Sequence, residues 1–161
     1  MRYEHLVQIN DPSHPDIRPL SRAQLWRGLL LRAARPELFD PSIDATRQIE
    51  EGERHQVREV RRSASVLSER VELEPDSRVR LTCIGGSELA GSQLELRIEE
   101  PASGALFVRF TYELKGDGVP TDAGELQALR QAYYFADIET VRHIRSMVED
   151  ELAAADRPAR A

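Results

Sequence analysis

Thiols are almost absent from this chain. Cys83 is the one cysteine, so no internal disulfide can form and a thiolate metal cluster has no ligands. A reducing compartment, and so a cytoplasmic location, is expected. Positive charge is also short: Lys and Arg total 22 against 28 Asp and Glu, a net charge of −6. That balance gives no general attraction to phosphate backbones or anionic lipid, and no nucleic-acid partner is expected. The start, Met1 to Leu6, lacks the uninterrupted apolar core of a secretion signal, and no apolar run approaches membrane-spanning length. Motifs for cofactor or nucleophile chemistry are missing too. Gly85-Gly86-Ser87-Glu88-Leu89 lacks the second glycine of a nucleophile elbow, and Gly85 to Gly91 has neither phosphate-loop nor dinucleotide spacing. A hairpin turn is expected there, and no cofactor. Glu139 and His143 stand four apart on a helical stretch without a companion ligand, so they are read as a surface pair and no metal site is expected.

Apolar material suffices for a core: 40% of the 161 residues are hydrophobic and 31% are charged. A chain of this size buries about two thirds of its unfolded surface in one core. One domain over 1–155 is expected, with a frayed tail over 156–161.

Periodicity supplies the elements. Tyr3 to Ile9 alternates like a strand and is ended by the three prolines between Asn10 and Pro19. Ser21-Arg22-Ala23-Gln24 reads as a capping box flanked by Leu20 and Leu25 as a hydrophobic staple, opening a helix that Pro36 stops. A further short turn at Glu37 to Phe39 is expected. From Ile43 to Leu114, strand-length runs are separated by Gly52, Pro75-Asp76, Gly85-Gly86 and Pro101 to Gly104, the pattern of a meander. Leu106, Val108, Phe110, Tyr112 and Leu114 share one face of the last strand, as do Leu94, Leu96 and Ile98, and Val79, Leu81 and Cys83, before it. Val57 and Val60 fall on opposite faces, which predicts a bulge or an edge near Arg54 to Arg62. The arginines of that stretch, Arg54, Arg58, Arg61 and Arg62, are interrupted by Glu53 and Glu59 and read as a solvated sheet edge. After Pro120 the period becomes 3.6. Thr121 is the expected N-cap of a helix from Asp122 to about Ala154, with Leu126, Leu129, Tyr133, Val141, Ile144, Met147, Val148 and Leu152 as its apolar stripe.

This order is α+β, and the economical closure wraps the sheet around the long helix. The stretches Gln8-Ile9-Asn10-Asp11-Pro12, Leu20 to Leu29 and Ala136-Asp137-Ile138-Glu139-Thr140-Val141-Arg142 resemble the AtaL-like branch of the birch-pollen-allergen and START-related helix-grip superfamily. The resemblance runs from Tyr3 to about Leu152. It implies a seven-stranded antiparallel sheet, two short helices after the first strand and a cavity between sheet and long helix. It implies no particular reaction, since members carry lipids, hormones or quinones and some act as polyketide cyclases or aromatases.

Polar residues at inward positions are the candidate site. On the helical wheel Asp137 falls within the apolar stripe with Tyr133 and Thr140 beside it, and an unpaired carboxylate there needs a partner. Strand parity turns Glu69 inward with Leu67, Val71 and Leu73, and His5 inward with Val7 and Ile9. Alternation with Ala45 and Ile49 brings in Arg47 as a neutralising cation. Tyr112 reads mainly as core, with a hydroxyl to offer a ligand. Two arrangements follow for Asp137: buried beside Arg47 or His5, or lining a hydrated pocket to orient a ligand, the second being favoured by its polar neighbours.

The leading expectation is a binding protein for a small, largely hydrophobic molecule, with Asp137, Tyr133, Thr140, Glu69, Tyr112, Arg47 and His5 as ligand-contacting candidates. A cyclase or aromatase using an inward carboxylate ranks behind it, because the sequence shows no matched acid–base pair. The third alternative is a ligand-free interaction module, with Phe135 and Ile138 off the sheet-facing stripe as a surface for a partner or a second copy in a homodimer.

Overall fold

The computed structural model describes residues 1–157. Strand β1 (Arg2–Gln8) is followed by helix α1 (Arg22–Ala34) and a 3₁₀ turn (Pro36–Leu38). Six strands come next: β2 (Ala45–Glu51), β3 (His55–Arg62), β4 (Ser65–Glu74), β5 (Arg78–Gly85), β6 (Gln93–Ala102) and β7 (Ala105–Glu113). Helix α2 (Ala123–Ala155) closes the chain, and at 1.5 Å per residue it is about 50 Å long. The seven strands form one antiparallel sheet in the order β1-β7-β6-β5-β4-β3-β2. From β3 to β7 each strand pairs with its predecessor, and β1 pairs with β7, so that β1 and β2 are the two edges of the sheet. Among the described residues no helix is long and apolar enough to cross a membrane.

The capping box forms as expected. Gln24 N–H donates to the Ser21 hydroxyl at 3.0 Å, and Ser21 N–H donates to the Gln24 side chain at 2.8 Å. Pro36 ends α1 and itself starts the 3₁₀ turn, one residue before the expected Glu37. The cap of α2 is Asp122 rather than Thr121, its carboxylate accepting from Glu125 N–H at 3.0 Å. A charged acceptor one residue later serves the positive helix end better than a hydroxyl. Of the expected tail, Asp156 is the C-cap of α2 and residues 158–161 lie outside the described residues.

The irregularity expected around β3 is a bulge on its edge partner. Gln48 opposes Arg58 and Glu50 opposes Val57, which leaves Ile49 extra on β2. A second register shift leaves Ile84 extra on β5, so that Glu69 faces Cys83. Both isoleucines are turned out and exposed. Such extra residues bend the strand and strengthen twist, curving the sheet toward the helix.

The core fills one end of that curve. Val71, Val79, Leu96, Ile98, Val108 and Phe110 from the sheet pack with Leu25, Trp26 and Leu29 of α1 and with Val141, Ile144 and Val148 of α2. The other sheet face is polar, with Glu95 held by Arg80 at 2.9 Å and Arg97 at 3.0 Å. Toward the N-terminal half of α2 the residues that face the sheet are Tyr133, Asp137 and Thr140. Tyr133 and Asp137 meet Tyr112 of β7, and beside them, over β3 to β6, helix and sheet leave a gap.

Candidate functional site

A cavity of about 530 Å³ occupies that gap. Its sheet wall carries Leu67, Leu81, Cys83, Leu94 and the Tyr112 ring, and α2 contributes Tyr133, Ala136 and Thr140. Phe39 and Ile43 close one side, and the loop through Ser87 and Leu89 closes another. Gly86 allows that loop its approach: its φ is +76°, and a Cβ there would lie 2.3 Å from the Val66 carbonyl oxygen. Pro41, Ala136 and Glu139 border the cavity and are themselves exposed, so it opens to solvent on their side.

Charge enters the wall through a buried ion pair. Arg58, 1% exposed, donates from Nη2 to Glu69 Oε1 at 2.7 Å and from Nη1 to the Ala33 carbonyl. The two side chains stand directly opposite in the β3–β4 register. Ala33 lies in the last turn of α1, where carbonyls lack intrahelical partners and favour a cation. The solvated edge expected of these arginines is therefore wrong for Arg58. Its parity with the fully buried Val60 carried the signal, and an inward Glu69 called for a cation opposite. Arg47 is the converse correction. It pairs with Glu59 at 2.9 Å with its side chain 71% exposed, on the outer face. Ala45 and Arg47 pair with Arg61 and Glu59, the outward residues of β3, and Ile49 is exposed with them, so the alternation from which an inward Arg47 followed lies on the outer face.

Behind the Tyr112 ring lies a second polar cluster. Asp137, 1% exposed, accepts from the Tyr112 hydroxyl at 2.8 and 3.0 Å, and its Oδ2 lies 2.6 Å from His5 Nε2. His5 Nδ1 is buried without a partner. A proton on Nε2, donated to the carboxylate, is thus the arrangement that strands no N–H. Burial raises the Asp137 pKa and outweighs the lowering by the His5 and Tyr112 hydrogen bonds. Burial together with the Asp137 charge pushes the Tyr112 hydroxyl far above its ordinary value, so it stays a donor. Tyr133 stacks on Tyr112 with centroids 4.1 Å apart and planes 5° from parallel. Burial first and Asp137 second raise its pKa too.

Of the seven residues expected at a site, Glu69, Tyr112, Tyr133 and Thr140 line the cavity. Asp137 and His5 do not, because Tyr112 stands between them and the space, so the ligand-facing arrangement favoured for Asp137 gives way to the one beside His5. Tyr112 in turn has spent its hydroxyl on Asp137 and presents a ring face. Sequence reasoning missed Arg58 and also Arg32, which reaches the cavity from the last turn of α1. The Glu139–His143 pair is not made: Glu139 binds Arg142 at 2.5 Å, and His143 packs edge-on against Phe39. Phe135 is 61% exposed, whereas Ile138 packs on the core.

A curved antiparallel sheet gripping a C-terminal helix across a cavity defines the helix-grip class. Within it, the family model described as AtaL, acetylaranotin biosynthesis cluster protein L, matches residues 7–151, and the chain belongs to that family. No curated protein matches it in sequence. Among solved structures, the Zhui aromatase/cyclase from Streptomyces sp. R1128 superposes with a TM-score of 0.67 at 15% identity, covering 98% of this chain and 99% of that one. The di-domain ARO/CYC StfQ from the steffimycin biosynthetic pathway gives 0.69 at 12% identity, with 94% of this chain matching 52% of that one. Ara h 8.0201 gives 0.57 at 16% identity over 91% of this chain and 98% of that one. At such identities the likeness is one of fold.

Proposed function

We propose that the chain holds one small, largely apolar molecule, a lipid, quinone, polyketide or aromatic metabolite, between its sheet and α2. The observation that carries this reading is the cavity of about 530 Å³ with mostly hydrocarbon walls and a few polar groups at one side. Ligand sites have this size and division of labour, whereas close-packed interiors leave no such void. The aromatase/cyclase neighbours favour an aromatic or polyketide-like occupant, and the single thiol, Cys83, suits a reducing, cytoplasmic setting. The test is native mass spectrometry of protein purified without organic solvent, followed by thermal melts against a panel of those four classes. A bound mass, or a rise in Tm of several degrees with one class, is expected, since whatever binds only the folded state stabilises it. No adduct and no shift across the panel contradicts the reading.

A cyclase or aromatase is the second reading, favoured by the Glu69–Arg58 pair on the cavity wall. Glu69 takes a proton from a carbon flanked by ketones, the electron pair moves onto the ketone oxygen, and a guanidinium steadies that oxyanion. The enolate carbon then bonds to a second carbonyl carbon and closes the ring, the π pair of that carbonyl moving onto its oxygen. This oxygen takes the proton back from Glu69, and it leaves as water with a proton from the adjacent carbon, forming the ring double bond. Turnover of an aromatisable poly-ketone that vanishes in Glu69→Gln supports it; turnover that persists removes Glu69 from the chemistry.

A further inference from the structure

Three arginines reach the cavity, Arg32, Arg58 and Arg62. Two are committed. Arg58 is held by Glu69 and the Ala33 carbonyl, and Arg62 by Asp40 at 3.0 Å and the Ser42 hydroxyl at 3.2 Å. Arg32 makes no ion pair or side-chain hydrogen bond with any described residue, and its Nε is buried without a partner. The lining carboxylates are not free to serve it, because Asp40 and Glu69 are engaged as above and Glu139 is turned to Arg142. Asp137 feels the Arg32 charge, yet its oxygens are taken by His5 and Tyr112 and it forms no ion pair with Arg32.

The C-terminal end of α1 favours a cation at Arg32. It does not supply the counter-ion that a partly desolvated guanidinium facing an apolar space calls for. Arg58 Nε, also buried and unpartnered, lies on the same wall, and its guanidinium is bonded to the carbonyl of the residue after Arg32. Planar guanidinium forks match a carboxylate or a delocalised oxyanion better than any neutral group.

We propose that Arg32, with Arg58 beside it, is an anion subsite, and that the cavity's molecule is an organic acid: an apolar body bearing one carboxylate or an equally acidic enol or phenol. This rests on the binding reading above and narrows its ligand class. A neutral lipid or unsubstituted quinone leaves Arg32 unpaired, whereas a monoanion completes the wall's charge balance.

Calorimetric titration with anthraquinone-2-carboxylic acid and with its methyl ester separates the two claims, because the pair differs in charge and hardly in apolar body. Wild type is expected to bind the acid at least about tenfold tighter than the ester, the scale of one well-placed charge-assisted pair. Arg32→Met is expected to abolish that preference while holding ester affinity within about threefold, and Arg32→Lys to keep part of it. Equal affinity of wild type for acid and ester, or an acid preference that survives in Arg32→Met, overturns the anion subsite and leaves cavity binding standing. Failure of wild type to bind either compound counts against the binding reading and takes the subsite with it. The wild-type comparison of acid with ester stands even if a variant folds poorly.

Discussion

Asp137 is pulled in two directions, since burial opposes its charge while His5 and Tyr112 both hydrogen-bond to it, and burial prevails. Removing the carboxylate in Asp137→Ala leaves the buried Tyr112 hydroxyl and His5 Nε2 without an acceptor. Stability should fall by about 2–4 kcal/mol, read from urea midpoints, with affinity for any cavity ligand little changed. A small stability loss with a large affinity loss would mean the carboxylate meets the ligand after all. The pH dependence has a definite sign. A carboxyl raised above its ordinary 3.8 keeps its proton in the folded chain where the unfolded chain has lost it. Stability therefore falls as pH rises through that window. The advantage of wild type over Asp137→Asn should be greatest near and below pH 3.8 and shrink toward neutrality; an advantage that grows with pH would show that His5 holds the group ionised. The inward Asp137 was legible from the helical wheel, and His5 from strand parity. That Tyr112 would screen both from the cavity was not, because side-chain depth depends on the partner strand. Arg47 and Arg58 exchanged roles because the face of a strand poor in apolar residues is set by its partner: Arg58 shares the inner face of β3 with Val60, whereas Arg47 lies opposite Glu59 on the outer face.

At the scale of elements, the capping box and the apolar face of β7 were readable because each is a local pattern. The bulges at Ile49 and Ile84 were not, since both look like ordinary strand residues. Helix packing was equally silent. α1 crosses α2 at Gly28, where an added Cβ would lie 2.4 Å from Ile144 Cγ2, and Ile144 is fully buried. Gly28→Ala is expected to lower stability by about 1–3 kcal/mol, seen as a drop in Tm, even though alanine is the better helix former by about 1 kcal/mol. A higher Tm would show that the two helices part easily. Such parting would also loosen Ala33 and Arg32, because α1 delivers both to the cavity wall.

On the scale of the whole molecule, the sheet and α2 are close-packed at one end, whereas at the other they meet at Tyr112 and part over β3 to β6. The division follows the sequence of α2: Val141, Ile144 and Val148 reach into the core, while Tyr133, Ala136 and Thr140 border open space. The seven-stranded helix-grip order was legible because strand and helix periods differ. The cavity volume was not, because it depends on how strongly the bulges curve the sheet around the helix. The central claim is that this space is built to be occupied, and a crystal structure of protein purified without organic solvent tests it most directly. Continuous non-protein density between Tyr133, Thr140 and Arg32 is the predicted result. A gap closed by the protein's own side chains, or filled by ordered water alone, would contradict it.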